Sequence, residues 1–226
     1  TDATFSFSGF SQRGGGTDHH ADGWGIAFFE DKGLRHFVDH LPACDSPVAE
    51  LIRRYPIKSR NVIAHIRKAT QGRVALENTH PFVRELWGRY WVFAHNGDLI
   101  GDLSRELPLP QHPSLRPIGP TDTEHLFCWL LGHLVEAGVE TMEDFGLPRL
   151  LELLHRANEL GSLNLMLADG TLCSSVVLPP GGSSEVLFVR VNPMGAVQLR
   201  LNVTSEVAVD AAAVAAAAAG ESSRQQ

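Results

Sequence analysis

The stretch "WVFAHNGDLIG", residues 91–101, begins as a buried strand and then changes character. Its first residues are aromatic, branched or small, as expected of a strand that is covered on both faces. From His95 onward it becomes polar, and an Asn-Gly pair such as Asn96-Gly97 often forms a hairpin turn because both residues tolerate a positive φ. We therefore predict that the strand ends at Asn96. The pair also has chemical potential, because an asparagine side-chain N–H and a glycine backbone N–H can both donate to one oxyanion.

The surrounding sequence alternates predicted strands with predicted helices. Hairpins are predicted around residues 31–33 and 169–170, where turn residues separate apolar runs. Helices are predicted over residues 46–55, 121–138 and 148–160 from their capping residues and the spacing of their leucines. Consecutive hairpins favour antiparallel sheets, and the helices between them favour packing on the outside of those sheets.

The second of these helices has the clearest boundaries. Thr121 and Glu124 have the spacing of a capping box, and Gly138 is the residue type that commonly ends a helix. Residues 105–120, which include five prolines, are predicted to form the loop before it. Residues 9–25 are rich in glycine and are likewise predicted to form a loop.

The overall composition is that of an acidic globular protein. The chain has 226 residues and a formal net charge of −7. Neither a nucleic acid nor an anionic membrane is an expected partner, because the sequence has no strongly basic patch. There is no apolar run near 18 residues and no signal-peptide pattern, so a cytoplasmic protein is expected. We predict one domain over residues 1–204 and an alanine-rich tail over residues 205–226 that is a peripheral helix or disordered.

No cofactor or metal is expected from the sequence. Cys44, Cys128 and Cys173 are scattered and form no C-x-x-C pair, which indicates free thiols in a reducing compartment. The adjacent histidines at positions 19 and 20 lack the partners of a zinc motif. The glycines near residue 15 do not open a helix after a strand, as a dinucleotide-binding loop requires.

Four stretches place polar residues at the ends of strands or at the start of a helix. They are "AHIRKATQG" (64–72), "ENTHPF" (77–82), "AHNGD" (94–98) and "PTDTE" (120–124).

Considered singly, each has an ordinary structural explanation. Arg67 either pairs with a core carboxylate or grips the carboxylate of a substrate with its planar fork. Asp122 suits the positive end of a helix dipole, and His80 is the kind of residue that is more often structural.

Taken in this order, the four motifs resemble the class II glutamine amidotransferase domain, an N-terminal-nucleophile hydrolase. That family carries H-x-R-x-A-T-x-G, N-x-H-P, H-N-G and T-D-T-E segments, which here are residues 65–72, 78–81, 95–97 and 121–124. The resemblance is closest to the family's small stand-alone YafJ-like branch and covers about residues 5–170. It implies a four-layer αββα sandwich of two mostly antiparallel sheets.

The resemblance also implies how glutamine is held. Arg67 would bind the α-carboxylate and Asp122 the α-ammonium group. Thr70 would help with the carboxylate, and His80 would line or order the pocket. These roles suit the chemistry of a zwitterion, which needs one cation and one anion placed a few ångströms apart.

The implied reaction is hydrolysis of the glutamine side-chain amide through a γ-glutamyl thioester, with release of ammonia. Asn96 and Gly97 would form the oxyanion hole. The family's nucleophile is a cysteine at the N-terminus of the mature protein, whose own α-amine can act as base. This sequence begins at Thr1, so we expect a strand that starts with Met-Cys to precede it. Thr1 itself is the other candidate, because N-terminal threonine serves other hydrolases of this type.

Two alternatives stay open. Related stand-alone domains cleave γ-glutamyl peptides or γ-glutamyl thiol compounds, and the anchors for the glutamyl part would be the same. The second alternative is a non-catalytic glutamine-binding protein that lacks the nucleophile. Since no acceptor-binding segment is recognisable, a partner protein that provides the acceptor is a further expectation.

Overall fold

The computed structural model describes residues 4–17, 19–54, 59, 61–70, 72–178, 184–192 and 195–203. The tail predicted over residues 205–226 lies outside these ranges.

The predicted helices and strands appear in the expected order, but the helices Thr4–Arg13, Leu103–Glu106 and Met142–Phe145 were not predicted from the sequence. The helices are α1 (Thr4–Arg13), α2 (Pro47–Arg54), α3 (Leu103–Glu106), α4 (Asp122–Ala137), α5 (Met142–Phe145) and α6 (Leu147–Asn158), with a 3-10 turn at Leu76–Asn78. The strands are β1 (Trp24–Glu30), β2 (Gly33–Asp39), β3 (Val62–Ile66), β4 (Phe82–Leu86), β5 (Arg89–Leu99), β6 (Gly161–Ala168), β7 (Leu172–Leu178), β8 (Ser184–Asn192) and β9 (Gly195–Val203).

The strands form two antiparallel sheets. One has the order β2-β1-β3 and the other the order β4-β5-β6-β7-β8-β9. The predicted hairpins correspond to β1–β2 and β6–β7.

Three apolar clusters show that the sheets are stacked between two helical layers. Residues of β1, including Trp24, pack on one face against α1 and α2. The opposite face of β1 contributes Ala27 and Phe29 to a cluster with Val92 and Ala94 of β5, between the two sheets. The outer face of β5 packs with β6 against α4 and α6. Because side chains alternate across each strand, one strand contributes side chains to the apolar clusters on both of its faces. The predicted αββα sandwich is therefore confirmed.

The end of β5 differs from the prediction. The strand does not turn at Asn96-Gly97 but continues to Leu99, paired residue by residue with β6 as far as Gly161. A Cβ atom at Gly97 would lie 2.0 Å from the Ser162 carbonyl oxygen, so glycine permits the close approach of β6. Here tertiary pairing overrides the local preference of Asn-Gly for a turn.

Two other local predictions are refined. The loop predicted from residue 9 starts later, because α1 extends to Arg13. Thr121 caps α4 by accepting the N–H of Glu124, as predicted. The carboxylate of Glu124, however, accepts the N–H groups of Ile118 and Gly119 instead of completing a capping box.

Within the described part of the chain, no helix is both long and apolar enough to span a bilayer.

Candidate active site

The four sequence motifs meet at one cavity of about 420 Å³. It lies where β3 and β5 end and α4 begins. Its lining includes all six residues singled out from the sequence and several others: His20, His65, Ile66, Arg67, Lys68, Thr70, His80, His95, Asn96, Gly97, Asp98, Thr121, Asp122, Thr123 and Ser162.

Arg67 directly follows β3 and is buried, with 4% of its surface exposed. Its backbone is fixed by an N–H bond to the Gly23 carbonyl, and its Nη1 donates to the carbonyl of Arg73 over 3.3 Å. Burial lowers the pKa of the guanidinium, and the carboxylates of Asp22 and Asp122 oppose that shift. An arginine stays protonated at neutral pH even so, so the cavity contains a partly desolvated positive charge.

Asp122 is the first residue of α4 and is 6% exposed. One carboxylate oxygen accepts the Leu99 N–H at 2.8 Å, and the other accepts the Thr123 N–H at 2.8 Å. The side chain therefore ties the end of β5 to the start of α4. The two explanations considered from the sequence are compatible, because each carboxylate oxygen has a second lone pair that can face the cavity.

Asn96 and Gly97 are neighbours in β5. The side chain of Asn96 is exposed, whereas the backbone at Gly97 is closely packed. Asn96 is exposed and lines the cavity, while its carbonyl accepts a bond from the Asn164 side chain at 3.1 Å. Gly97 is held between Ser162 and the ring of His95, whose Nε2 would lie 2.4 Å from a Cβ atom at this position. Any side chain larger than hydrogen would displace the strand here.

The ring of His95 connects β5 to β6 and to α4. Its Nε2 lies 3.0 Å from the Ser162 carbonyl and its Nδ1 lies 3.1 Å from the Thr123 hydroxyl. Since a carbonyl only accepts, Nε2 carries the proton and Nδ1 accepts from Thr123. Burial lowers the pKa of His95, and the bond to Ser162 opposes this. In the sequence, His95 was recognisable only as part of the H-N-G motif, with no role of its own.

His80 and His65 pack against each other, with ring centroids 4.4 Å apart. The Nδ1 atom of each ring is buried and has no hydrogen-bond partner within the described ranges. Burial is the main cause that lowers the pKa of His65 to about 4, and that of His80 well below its usual value. Positive neighbours, including His95 and Arg67, act in the same direction. Both imidazoles are therefore neutral at pH 7.

The cysteines lie outside the cavity lining. Burial raises the pKa of Cys128, and it raises that of Cys173 to about 11. Such thiols are poor nucleophiles at neutral pH. No cluster of three or more histidine, cysteine or acidic side chains within the described ranges is arranged to hold a metal ion.

Comparison with protein families gives one match that covers nearly the whole chain. The family "Glutamine amidotransferases class-II" matches residues 1–220. Among curated proteins, "Putative glutamine amidotransferase YafJ" of Escherichia coli is 49% identical over 172 residues, which are 75% of this chain and 66% of that protein. A "Putative glutamine amidotransferase" of Haemophilus influenzae is 57% identical over 134 residues, 59% of this chain and 44% of that protein. The chain thus spans just under two thirds of the first relative and under half of the second.

Solved structures show the same fold. The crystal structure of a "predicted glutamine amidotransferase" from Pseudomonas aeruginosa is 33% identical, with a TM-score of 0.55, and covers 88% of this chain and 82% of its own. Glutamine phosphoribosylpyrophosphate amidotransferase from B. subtilis is 18% identical, with a TM-score of 0.58, and the match covers 90% of this chain and 46% of that one. At that identity the second match shows the fold alone.

Proposed function

The chain belongs to the class II glutamine amidotransferases, and on that basis we propose that it hydrolyses the side-chain amide of glutamine through a γ-glutamyl thioester and releases ammonia. The observation that carries this proposal is the meeting of Arg67, Asp122 and the Asn96-Gly97 segment at one cavity. Glutamine needs a cation, an anion and a pair of hydrogen-bond donors, and this lining offers all three.

Arg67 and Asp122 hold the amino-acid end of the substrate in this proposal. The guanidinium binds the α-carboxylate through two hydrogen bonds, for which its planar shape is suited. The Asp122 carboxylate uses the lone pairs left by Leu99 and Thr123 to accept from the α-ammonium. Thr70, which is exposed at the cavity, adds a hydroxyl donor for the carboxylate. His80 contributes an uncharged surface beside Arg67.

Asn96 and Gly97 act at the amide. The thiolate of an N-terminal cysteine attacks the amide carbon, and the carbonyl oxygen becomes an oxyanion that accepts from the Asn96 side chain and the Gly97 N–H. The cysteine's α-amine takes the thiol proton and returns it to the departing nitrogen, which leaves as ammonia. Water then cleaves the thioester to give glutamate and the free thiol.

Three histidines of the lining, His65, His80 and His95, are poorly suited to carry that proton. With a pKa of about 4, His65 holds almost no proton at pH 7, and burial lowers the pKa of His80 well below its usual value. His95 uses both ring nitrogens in bonds to Ser162 and Thr123. Their contribution is a neutral, shaped surface that adds no charge beside Arg67.

The test is turnover of glutamine by the full-length protein. Incubation should give equal amounts of glutamate and ammonia, and rapid acid quenching followed by intact-mass analysis should detect a γ-glutamyl adduct on the protein. Replacement of the N-terminal cysteine by alanine should abolish both signals and leave glutamine binding in calorimetry. Binding without turnover in the parent protein would favour the non-catalytic alternative, and absence of binding would contradict the proposal.

One observation favours γ-glutamyl peptides as a second candidate substrate. Lys68 lines the same cavity, is exposed and forms no ion pair within the described part of the chain. Glutamine leaves no group for this cation once Arg67 holds its carboxylate, whereas a γ-glutamyl peptide has a second carboxylate. Competition between glutamine and a γ-glutamyl dipeptide for turnover decides between them, with Lys68→Met expected to disfavour only the dipeptide.

Transfer of the released ammonia to an acceptor on a partner protein is also part of the proposal.

A further inference from the structure

We propose that Asn78, which does not line the cavity, is a positioning residue that holds Arg67, the proposed ligand of the glutamine carboxylate, in place and links it to the segment carrying Asp122. The inference rests on the proposed function, because it assumes that these two residues bind the substrate. The residue lies in the 3-10 turn Leu76–Asn78, and its side chain is fully buried.

The first link runs through one backbone carbonyl. The Nδ2 of Asn78 donates to the carbonyl of Arg73 at 3.0 Å, and Nη1 of Arg67 donates to the same oxygen at 3.3 Å. A carbonyl oxygen has two lone pairs and can accept both bonds. Asn78 therefore fixes the acceptor that orients the guanidinium. The described residues between them, 68–70 and 72, belong to no helix or strand that could do this instead.

The second link runs to the loop before α4. A Cβ atom at Gly119 would lie 2.2 Å from Oδ1 of Asn78, so the loop packs directly on the amide. The N–H of Gly119 donates to the carboxylate of Glu124, which also pairs with Arg84. The loop is thus held between Asn78 on one side and Glu124 on the other. Thr121 and Asp122 follow it immediately.

The chemistry of the side chain indicates that its hydrogen bond is used. Oδ1 of Asn78 is buried and has no hydrogen-bond partner within the described ranges. An unpaired buried carbonyl oxygen is unfavourable, so a residue that only filled space here would better be apolar. Among the described residues, the bond from the amide N–H to the Arg73 carbonyl is the polar contact that gives asparagine an advantage.

The experiment measures glutamine affinity and melting temperature for three variants of the full-length protein. Asn78→Ala should raise the Kd and KM for glutamine about tenfold, the equivalent of one well-placed hydrogen bond. Its kcat should change by less than about twofold, since the anchors hold substrate and transition state alike. Gly119→Ala should act in the same direction, because its methyl group displaces the amide.

The double variant Asn78→Ala/Gly119→Ala separates positioning from packing. Its new methyl group occupies space vacated by the amide, so the melting temperature should recover relative to the single variants while the affinity does not. Asn61→Ala is the matched control, because Asn61 is also a buried asparagine but lies at the opposite end of β3. Both polar atoms of its side-chain amide lack a hydrogen-bond partner within the described ranges, and its loss should leave the Kd unchanged.

The outcomes are distinct. If affinity recovers together with the melting temperature, or if Asn61→Ala weakens binding as much as Asn78→Ala, the role of Asn78 is packing and the inference is overturned. If Arg67→Ala weakens glutamine binding and Asn78→Ala does not, the inference fails while the proposed function stands. A parent protein that binds no glutamine overturns both.

Discussion

Asn96 and Gly97 lie within a paired strand, whereas Arg67 lies just beyond the end of β3 and belongs to no helix or strand. The backbone of Arg67 keeps main-chain bonds to residues 22 and 23, but its side chain depends on contacts outside the sheet. The first pair is fixed by main-chain pairing with β6 and by the close approach of Ser162. The second part of the lining depends on particular partners, such as the Arg73 carbonyl for Arg67. The difference suits two tasks. Donors to a transient oxyanion gain from rigidity, while anchors for a substrate can belong to loops that admit it.

The largest effect is expected where the strand supplies a donor. Asn96→Ala in the full-length protein should lower kcat about 10²–10³-fold, because one oxyanion donor is lost, and should leave KM nearly unchanged. Steady-state kinetics with glutamine measures both. Asn164→Ala is the control, since Asn164 bonds the Asn96 carbonyl from the neighbouring strand but donates nothing to the oxyanion in this proposal. A change confined to KM in Asn96→Ala would remove Asn96 from the oxyanion hole.

Asp122→Asn tests the anchor that is built on a helix. Loss of the charge-assisted bond to the α-ammonium should weaken glutamine binding about 10–100-fold. Asparagine has only one carbonyl oxygen for the N–H groups of Leu99 and Thr123, so the melting temperature should fall as well. Calorimetry and thermal unfolding measure the two effects separately.

The control for this variant is Asp102→Asn. Asp102 is an exposed carboxylate at the start of α3, where its side chain makes no capping bond. It should change neither affinity nor melting temperature appreciably. A lowered melting temperature in Asp122→Asn with unchanged glutamine affinity would assign Asp122 to the helix alone.

Arg67→Lys tests the anchor that lies just beyond the end of β3. Lysine keeps the positive charge but not the planar fork, so binding of glutamine should weaken about tenfold. Arg105→Lys, on the exposed face of α3, is the matched substitution outside the cavity. If calorimetry gives the parent Kd for Arg67→Lys, a two-bonded grip on the substrate carboxylate is wrong.

The sequence was most informative where neighbours along the chain decide the structure. The hairpins at β1–β2 and β6–β7 and the helix from Asp122 to Ala137 were predicted because turn and capping residues act locally. The six site residues were identified because they lie inside ordered motifs. Their meeting at one cavity is shown by the structure, while their roles stay predictions.

What the sequence missed depends on partners far along the chain. The extension of β5 to Leu99 depends on pairing with β6, which lies more than 60 residues further along the chain, and no local pattern predicts that pairing. The bracing role of His95 depends on Ser162 and Thr123. The sequence contained one indication of the contact between His95 and Thr123. In the T-D-T-E motif Thr121 is the cap, so Thr123 has no capping function and is available for another partner.

The last expected effect is on stability instead of on turnover or binding, and it concerns His65, which lies on β3 and lines the cavity. Its pKa in the folded protein is about 4, and in an unfolded chain a histidine has a pKa of about 6.5. Between these values the unfolded state binds more protons than the folded state, so the free energy of unfolding rises with pH. Stability is complete above about pH 6.5 and is lost as the pH falls toward 4, with a slope of up to about 1.4 kcal/mol per pH unit for one histidine. His80 and His95 act in the same direction, because burial lowers their pKa values too. Urea unfolding of the parent and of His65→Gln at pH 7, 6 and 5 should show a shallower slope in the variant. Equal slopes would mean that His65 titrates alike in both states, and the neutral surface beside Arg67 would then have to come from His80 and His95.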